Sequence, residues 1–261
     1  MLNPYQAPEA ERVSNEPDID VSSQWSVEVA AGTAFTLAGR HTGLLGGMAA
    51  SMAATSAIAT ALSALSQDPR FLSEGLFGAA LLLGIAALSM VLAVIQLILT
   101  VVIDRKLLDL VRGETRPWPS IGGVALMVVL LFVGNLVVGF AGMLGLLFFV
   151  APGLIVFACT YVWRYALIDG DEPIEAFTTS WLSTRHSWIR LLAWMLLFYG
   201  VGAVGGFLAE LADDLLVKAV ISSLFTFVTV FVLWPADVAI YVQMRHALDA
   251  VRPRQSGQSS S

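Results

Sequence analysis

The chain is poor in charge, in cysteine and in the motifs that soluble chemistry relies on. Only 13% of its 261 residues are charged, against about 25% in soluble domains. That excludes a globule with an ordinary solvated surface. A single cysteine, Cys159, excludes an internal disulfide and any cysteine-based metal site. There is no P-loop, no GxSxG and no HExxH, and no GxGxxG follows a strand-like run. His41, His186 and His246 lack the spacing of metal ligands. No cofactor, no metal and no nucleic-acid partner is therefore expected. The N-terminus also lacks the basic region and adjoining apolar core of a secretory signal.

What the sequence does have is long apolar runs. Hydrophobic residues make up 57% of it and the mean hydropathy is +0.78. Four windows, 43–66, 76–103, 120–163 and 191–244, are long enough to cross a bilayer, which takes roughly 20 apolar residues per helix. The last two hold two crossings each, so six transmembrane helices are expected. The runs do not alternate apolar and polar residues, which excludes a β-barrel. The fold class is all-α: a polytopic membrane protein.

Orientation follows from the basic residues. With the N-terminus inside, twelve arginines and lysines fall on the inner side, and only Arg70 and Lys218 fall outside. Cytoplasmic loops carry such an excess, so both termini are expected in the cytoplasm. Residues 1–24 hold five acids against Arg12, have three prolines and few large apolar side chains. That composition reads as a disordered tail, as does 254–261, which leaves a membrane domain over 25–253. Residues 25–41, with Trp25 at headgroup depth, and 173–190 read as two interfacial helices. In the second, Ile174, Phe177, Trp181 and Trp188 share one face, and Asp171 is the expected N-cap.

Sixteen of the 21 residues in Gly46–Ser66 are Gly, Ala, Ser or Thr. Small residues let membrane helices approach closely, so this crossing is expected in the middle of the bundle. Gly202 and Gly206 offer a second close contact. The third and fourth crossings, about 120–139 and 143–163, form a hairpin turning near Gly139–Gly142. Pro152 and Pro235 are expected to kink the fourth and sixth crossings.

A short sentence is written twice. RKLLDLVRG begins at Arg105 and RHALDAVRP at Arg245, with five of the first eight positions identical. Halves 27–113 and 172–253 then share one layout: interfacial helix, two crossings, arginine-rich exit. This is either a parallel repeat or convergence on what an inward exit needs. Arg105 and Arg245 are read at headgroup level, with the turns after them along the inner leaflet or the bundle's rim.

Four polar residues stand out inside the apolar runs: Asp237, Arg164, Asn135 and Gln96. Asp237 lies about two turns before Arg245, roughly 12 Å inside the exit by helical rise. Arg164 is its best partner by depth. Such a pair locks helices together or serves as a proton or ion relay. With one clear aspartate in the bilayer, no catalytic set can be assembled, and no enzyme is expected.

The stretch FFVAPGLIVFACTYVWRYALIDGDEPIEAFTTSWLSTRHSWIRLL joins a Pro-Gly helix, an inner arginine, a short acidic loop and an "EAF..SW" elbow. It resembles the YciC-like uncharacterised bacterial inner-membrane proteins and the membrane domain of glycerophosphodiester phosphodiesterases. The resemblance covers 145–195 and implies a six-helix bundle of the bacterial inner membrane. It carries no catalytic residue. The expected role is a non-enzymatic structural or accessory component, with the bilayer and a membrane-protein partner or second copy as its contacts. The alternative is a small transporter or lipid-handling protein with a cleft between the helix hairpins. A cavity lined by Asn135, Gln96 or Asp237 would favour the alternative, and a solidly packed bundle the accessory role.

Overall fold

The computed structural model describes residues 25–67, 75–148 and 150–251. The two tails expected at 1–24 and 254–261, Arg252 of the second copy, and Asp68, Arg70 and Glu74 lie outside them.

The described chain is helical. Helices α1 (Val27–Arg40), α2 (Thr42–Ser66), α3 (Gly75–Arg112), α4 (Ile121–Phe148) and α5 (Val150–Thr160) are followed by α6 (Trp163–Asp169) and α7 (Pro173–Thr184). Then come α8 (Trp188–Glu210), α9 (Leu215–Val228), a π-helical turn (Thr229–Leu233) and α10 (Trp234–Val251). Six stretches are long and apolar enough to span a membrane: α2, α3, α4, α5 with α6, α8, and α9 through α10.

The core lies at one end, where the arginines gather. Leu107 and Leu108 of α3, Tyr165 and Ile168 of α6, and Ile240 and Met244 of α10 are fully buried there. Toward the far end of α3, Leu83 is 74% and Met90 73% exposed, a surface that suits lipid. Helix α3 runs unbroken through RKLLDLVR. That segment therefore does not lie along a leaflet; it is the most deeply packed part of its helix. Trp25 is buried against protein, at 4% exposure. The adjoining Ser26 N–H donates to Gln243 of α10.

The hairpin turn is not at Gly139–Gly142. Helix α4 continues to Phe148, and α5 starts at Val150. The glycines serve contact instead. A Cβ at Gly145 would sit 2.7 Å from the Gly153 Cα, and one at Gly142 would enter the Phe157 ring. Pro152 falls in the first turn of α5, where a missing N–H leaves no bond unmade. It does not kink the crossing. The break comes later, at Tyr161–Val162, between α5 and α6. The Cys159 carbonyl there accepts from Ser180 Oγ (2.8 Å) and Thr184 Oγ1 (3.1 Å) of α7.

Helix α7 thus docks through its small and hydroxyl-bearing face, which includes Ala176, Ser180 and Thr184, all buried. Phe177 stacks on Trp163, while Ile174 and Trp181 face outward at 84% and 46% exposure. The N-cap position belongs to Glu172 and makes no side-chain cap bond. Asp171 instead accepts from Thr179 Oγ1 at 2.9 Å.

Helix α2 buries Leu45, Ala49, Ala53 and Leu62 and packs against α9, α3, the π turn and α1. Hydroxyls join it to α9, with Ser56 and Thr60 each 3.1 Å from Ser222 and Thr226 donating to Ser56 at 3.0 Å. Gly202 and Gly206 meet nothing within 4 Å, and Gly205 takes the close contact, against Phe225.

Candidate functional site

The buried charges gather where α3, α6 and α10 meet. Asp237, one turn into α10, is 1% exposed. Its Oδ1 accepts from Trp194 Nε1 at 2.8 Å, and its Oδ2 accepts from Tyr165 Oη and from Arg164 Nη2, the latter at 3.3 Å. The pair suggested by depth is therefore in place. Its third member is Asp104, with no exposure at all. Arg164 Nε lies 3.8 Å from Asp104 Oδ2, and Trp234 Nε1 donates to Asp104 Oδ1 at 2.5 Å. The guanidinium also lies over the Tyr165 and Trp234 rings, 4.5 and 5.5 Å from their centroids.

Sequence reasoning passed over Asp104 because it adjoins Arg105 and was absorbed into the arginine-rich exit. A signal existed. Val101, Asp104 and Leu108 fall at spacings of three and four, on the face that is buried. An aspartate on such a stripe needs a partner. The indoles of Trp194 and Trp234 left no comparable trace.

A second cluster lies beyond the first, on the turn after α6. Gly170, at φ 118°, ends that helix. The Asp171 N–H returns to the Ala166 carbonyl at 3.0 Å. Asp169 accepts two bonds from Arg112, at 2.5 and 2.6 Å, one from Arg116 at 2.7 Å and one from Tyr241 at 2.9 Å. Arg245 reaches Asp171 at 2.6 Å, and Arg105 donates to the Ile168 carbonyl at 3.1 Å. Both copies of the repeated sentence converge on this one turn. Arg105, Arg112 and Arg245 are held by protein partners rather than left to the headgroups. Replacing Asp169 with Asn is expected to cost about 1–2 kcal/mol after allowance for partial solvation, because Arg112 loses its countercharge and Arg116 keeps only Asp109, 2.9 Å from its Nε. A melting curve should show the drop, and added salt should shrink it.

Around the first cluster the bundle is open. A cleft of about 510 Å³ lies between α2, α8 and α9, lined by Ser56, Gly202, Gly206, Ser222 and Thr226, with Arg164 and Trp234 also on its wall. A second, of about 430 Å³, is lined by Asn135, Gly139, Phe157, Tyr161 and Leu196. Arg164 and Tyr199 border both. Gln96 lies apart, in a third cleft of about 410 Å³ between α2 and α3. Of the four sequence candidates, then, Asp237 and Arg164 are joined, Asn135 shares a cleft with Arg164, and Gln96 shares nothing with them. Among the described residues no group of three or more histidines, cysteines or acids could hold a metal ion.

These features define an all-α, polytopic membrane protein with a buried ion cluster at the junction of two clefts. The chain matches no family model, no curated protein and no solved structure.

Proposed function

We propose that this is a non-enzymatic protein of the bacterial inner membrane that takes up a lipid or similar amphiphile in the clefts meeting at Arg164. The carrying observation is that one guanidinium and one tyrosine, Arg164 and Tyr199, border two clefts of about 510 and 430 Å³. Ligand pockets occupy roughly 300–1,000 Å³ and pair apolar walls with a few polar groups. An accessory role asks for a bundle filled by its small-residue helix. Open space beside Gly202, Gly206 and Gly139 favours the lipid-handling reading over that one. A hydrolytic role is disfavoured because both aspartates are at most 1% exposed and share the charge of Arg164.

Placement in the inner membrane rests on the resemblance to YciC-like proteins. Cytoplasmic termini rest on the twelve-to-two division of basic residues. The large apolar side chains that α7 turns outward suit an interfacial helix, and α1 takes the corresponding role in the first half. Reporter fusions at the C-terminus should be active only as cytoplasmic reporters. A periplasmic signal there would reverse the topology.

The clefts can be tested by filling them. Gly202→Leu and Gly139→Leu each add a side chain where nothing lies within 4 Å of a new Cβ. Native mass spectrometry of the wild-type protein is expected to retain lipid through gentle detergent stripping. Each variant should lose about tenfold of that retention with an unchanged melting temperature. Equal retention by wild type and both variants would remove the proposal.

A further inference from the structure

Two carboxylates share one guanidinium. With all three groups ionised, Asp104, Arg164 and Asp237 carry a net charge of −1, and the carboxylates are 0% and 1% exposed. A buried group of charges is stable when it is neutral and fully hydrogen-bonded. This one becomes neutral by binding one cation.

The hydrogen bonds say which cation, and where. Trp194, Trp234, Tyr165 and Arg164 present N–H and O–H groups to the carboxylates. The indole and guanidinium N–H groups offer a metal ion no lone pairs, and a hard cation takes about six to eight oxygens, far more than the carboxylates and the Tyr165 hydroxyl supply. A proton has no such requirement. Asp237 receives three donors across both oxygens, which stabilises its anion. Asp104 receives one, on Oδ1, and its Oδ2 forms no hydrogen bond. The charged groups facing Asp104 are Arg164 of α6 and Asp237 of α10, and Tyr165 is the nearby phenol.

We propose that Asp104 is the binding site of one exchangeable proton, reached from the cleft between α2, α8 and α9. An O–H bond of a hydronium ion entering the cleft from solvent breaks as the bond to Oδ2 forms, leaving water; where a cleft hydroxyl relays the proton, it passes on its own and takes the hydronium's in return. The cluster passes from −1 to neutral. Arg164 and Trp234, the ion-pair and hydrogen-bond partners of Asp104, both line that cleft. A file of hydroxyls runs from Thr60 onto its wall: Thr60 to Ser222 (3.1 Å), Ser222 to Ser56 (3.1 Å), Ser56 to Thr226 (3.0 Å). Thr229, at the start of the π turn, also lines the cleft, its Oγ1 donating to the Phe225 carbonyl at 2.8 Å. Protonation frees Arg164 from one of its two carboxylates, so the site would set the charge that both clefts feel. The inference stands whatever the clefts hold.

Infrared difference spectra of the full chain in lipid nanodiscs, stepped from about pH 8 to about pH 5.5, test this, since exposed carboxylates titrate near 4. The wild type is expected to gain a protonated-carboxyl C=O band that shifts in D2O. The band should be absent from Asp104→Asn, a near-isosteric change that keeps an acceptor for Trp234. It should also be lost over the same step in Asp237→Asn, where Arg164 alone neutralises Asp104. Thr226→Val should slow its exchange in D2O about tenfold. Melting curves matching wild type establish that each variant is folded. A wild type without the band, a band that survives in either aspartate variant, or unchanged exchange in Thr226→Val would each overturn the corresponding part of the proposal.

Discussion

An Arg164→Met variant is expected to lose about 3–5 kcal/mol of stability or more, the usual result of removing one partner from a buried ion pair. Two carboxylates depend on this guanidinium, at 3.8 Å from Asp104 and 3.3 Å from Asp237. Neither has solvent to turn to. Native proteins hold only about 5–15 kcal/mol in reserve, so size-exclusion profiles in mild detergent should show little folded material. The triple variant Arg164→Met, Asp104→Asn, Asp237→Asn should recover most of the loss, because it removes the charges together. If the single variant melts like wild type, the guanidinium is not what neutralises the cluster.

The second large effect belongs to the α4–α5 hairpin. Gly145→Leu is expected to cost about 3 kcal/mol, at the upper end of the usual range for overpacking. Its Cβ would meet the Gly153 Cα at 2.7 Å and the Gly153 N at 2.9 Å. Those are backbone atoms and cannot rotate aside. Gly139→Ala, six residues earlier on the same helix, meets nothing within 4 Å. It is expected to be neutral or to gain up to about 1 kcal/mol from helix propensity. Thermal unfolding of the two variants side by side would decide the matter. A reversed order would put the turn back near Gly139–Gly142.

Those glycines show what the sequence made legible and what it did not. Six crossings follow from run length and composition alone, because a bilayer sets a minimum length for any apolar helix. Hairpin geometry does not follow. Glycine serves both a turn and a close approach, and the string Gly139, Gly142, Gly145 reads equally well as either. Gly202 and Gly206 illustrate the same ambiguity: their spacing suggests contact, while the space beside them is open. Depth along a helix was readable, and it brought Asp237 to Arg164. Direction around a helix was not, except through the stripe that holds Asp104. The indole donors, Trp194 and Trp234, come from residues 40 apart in sequence, and only the packed fold brings them to the two carboxylates. The resemblance around residues 145–195 pointed to the elbow of α7, yet its large apolar side chains mostly turn away from the bundle.

The π turn at Thr229–Leu233 has one further consequence. A π turn is an α-helix carrying one residue more than its turns need. Each residue rotates an α-helix by about 100°. Without the extra residue, Trp234 and Asp237 would swing about that far from the positions in which they hold Asp104 and Arg164. Loss of a single residue between 229 and 233 would leave length, hydropathy and the positive charges nearly untouched. It would still take the indole and the carboxylate out of register with α3 and α6. The spelling of this segment, letter by letter, therefore constrains the charge cluster as firmly as the charged residues do.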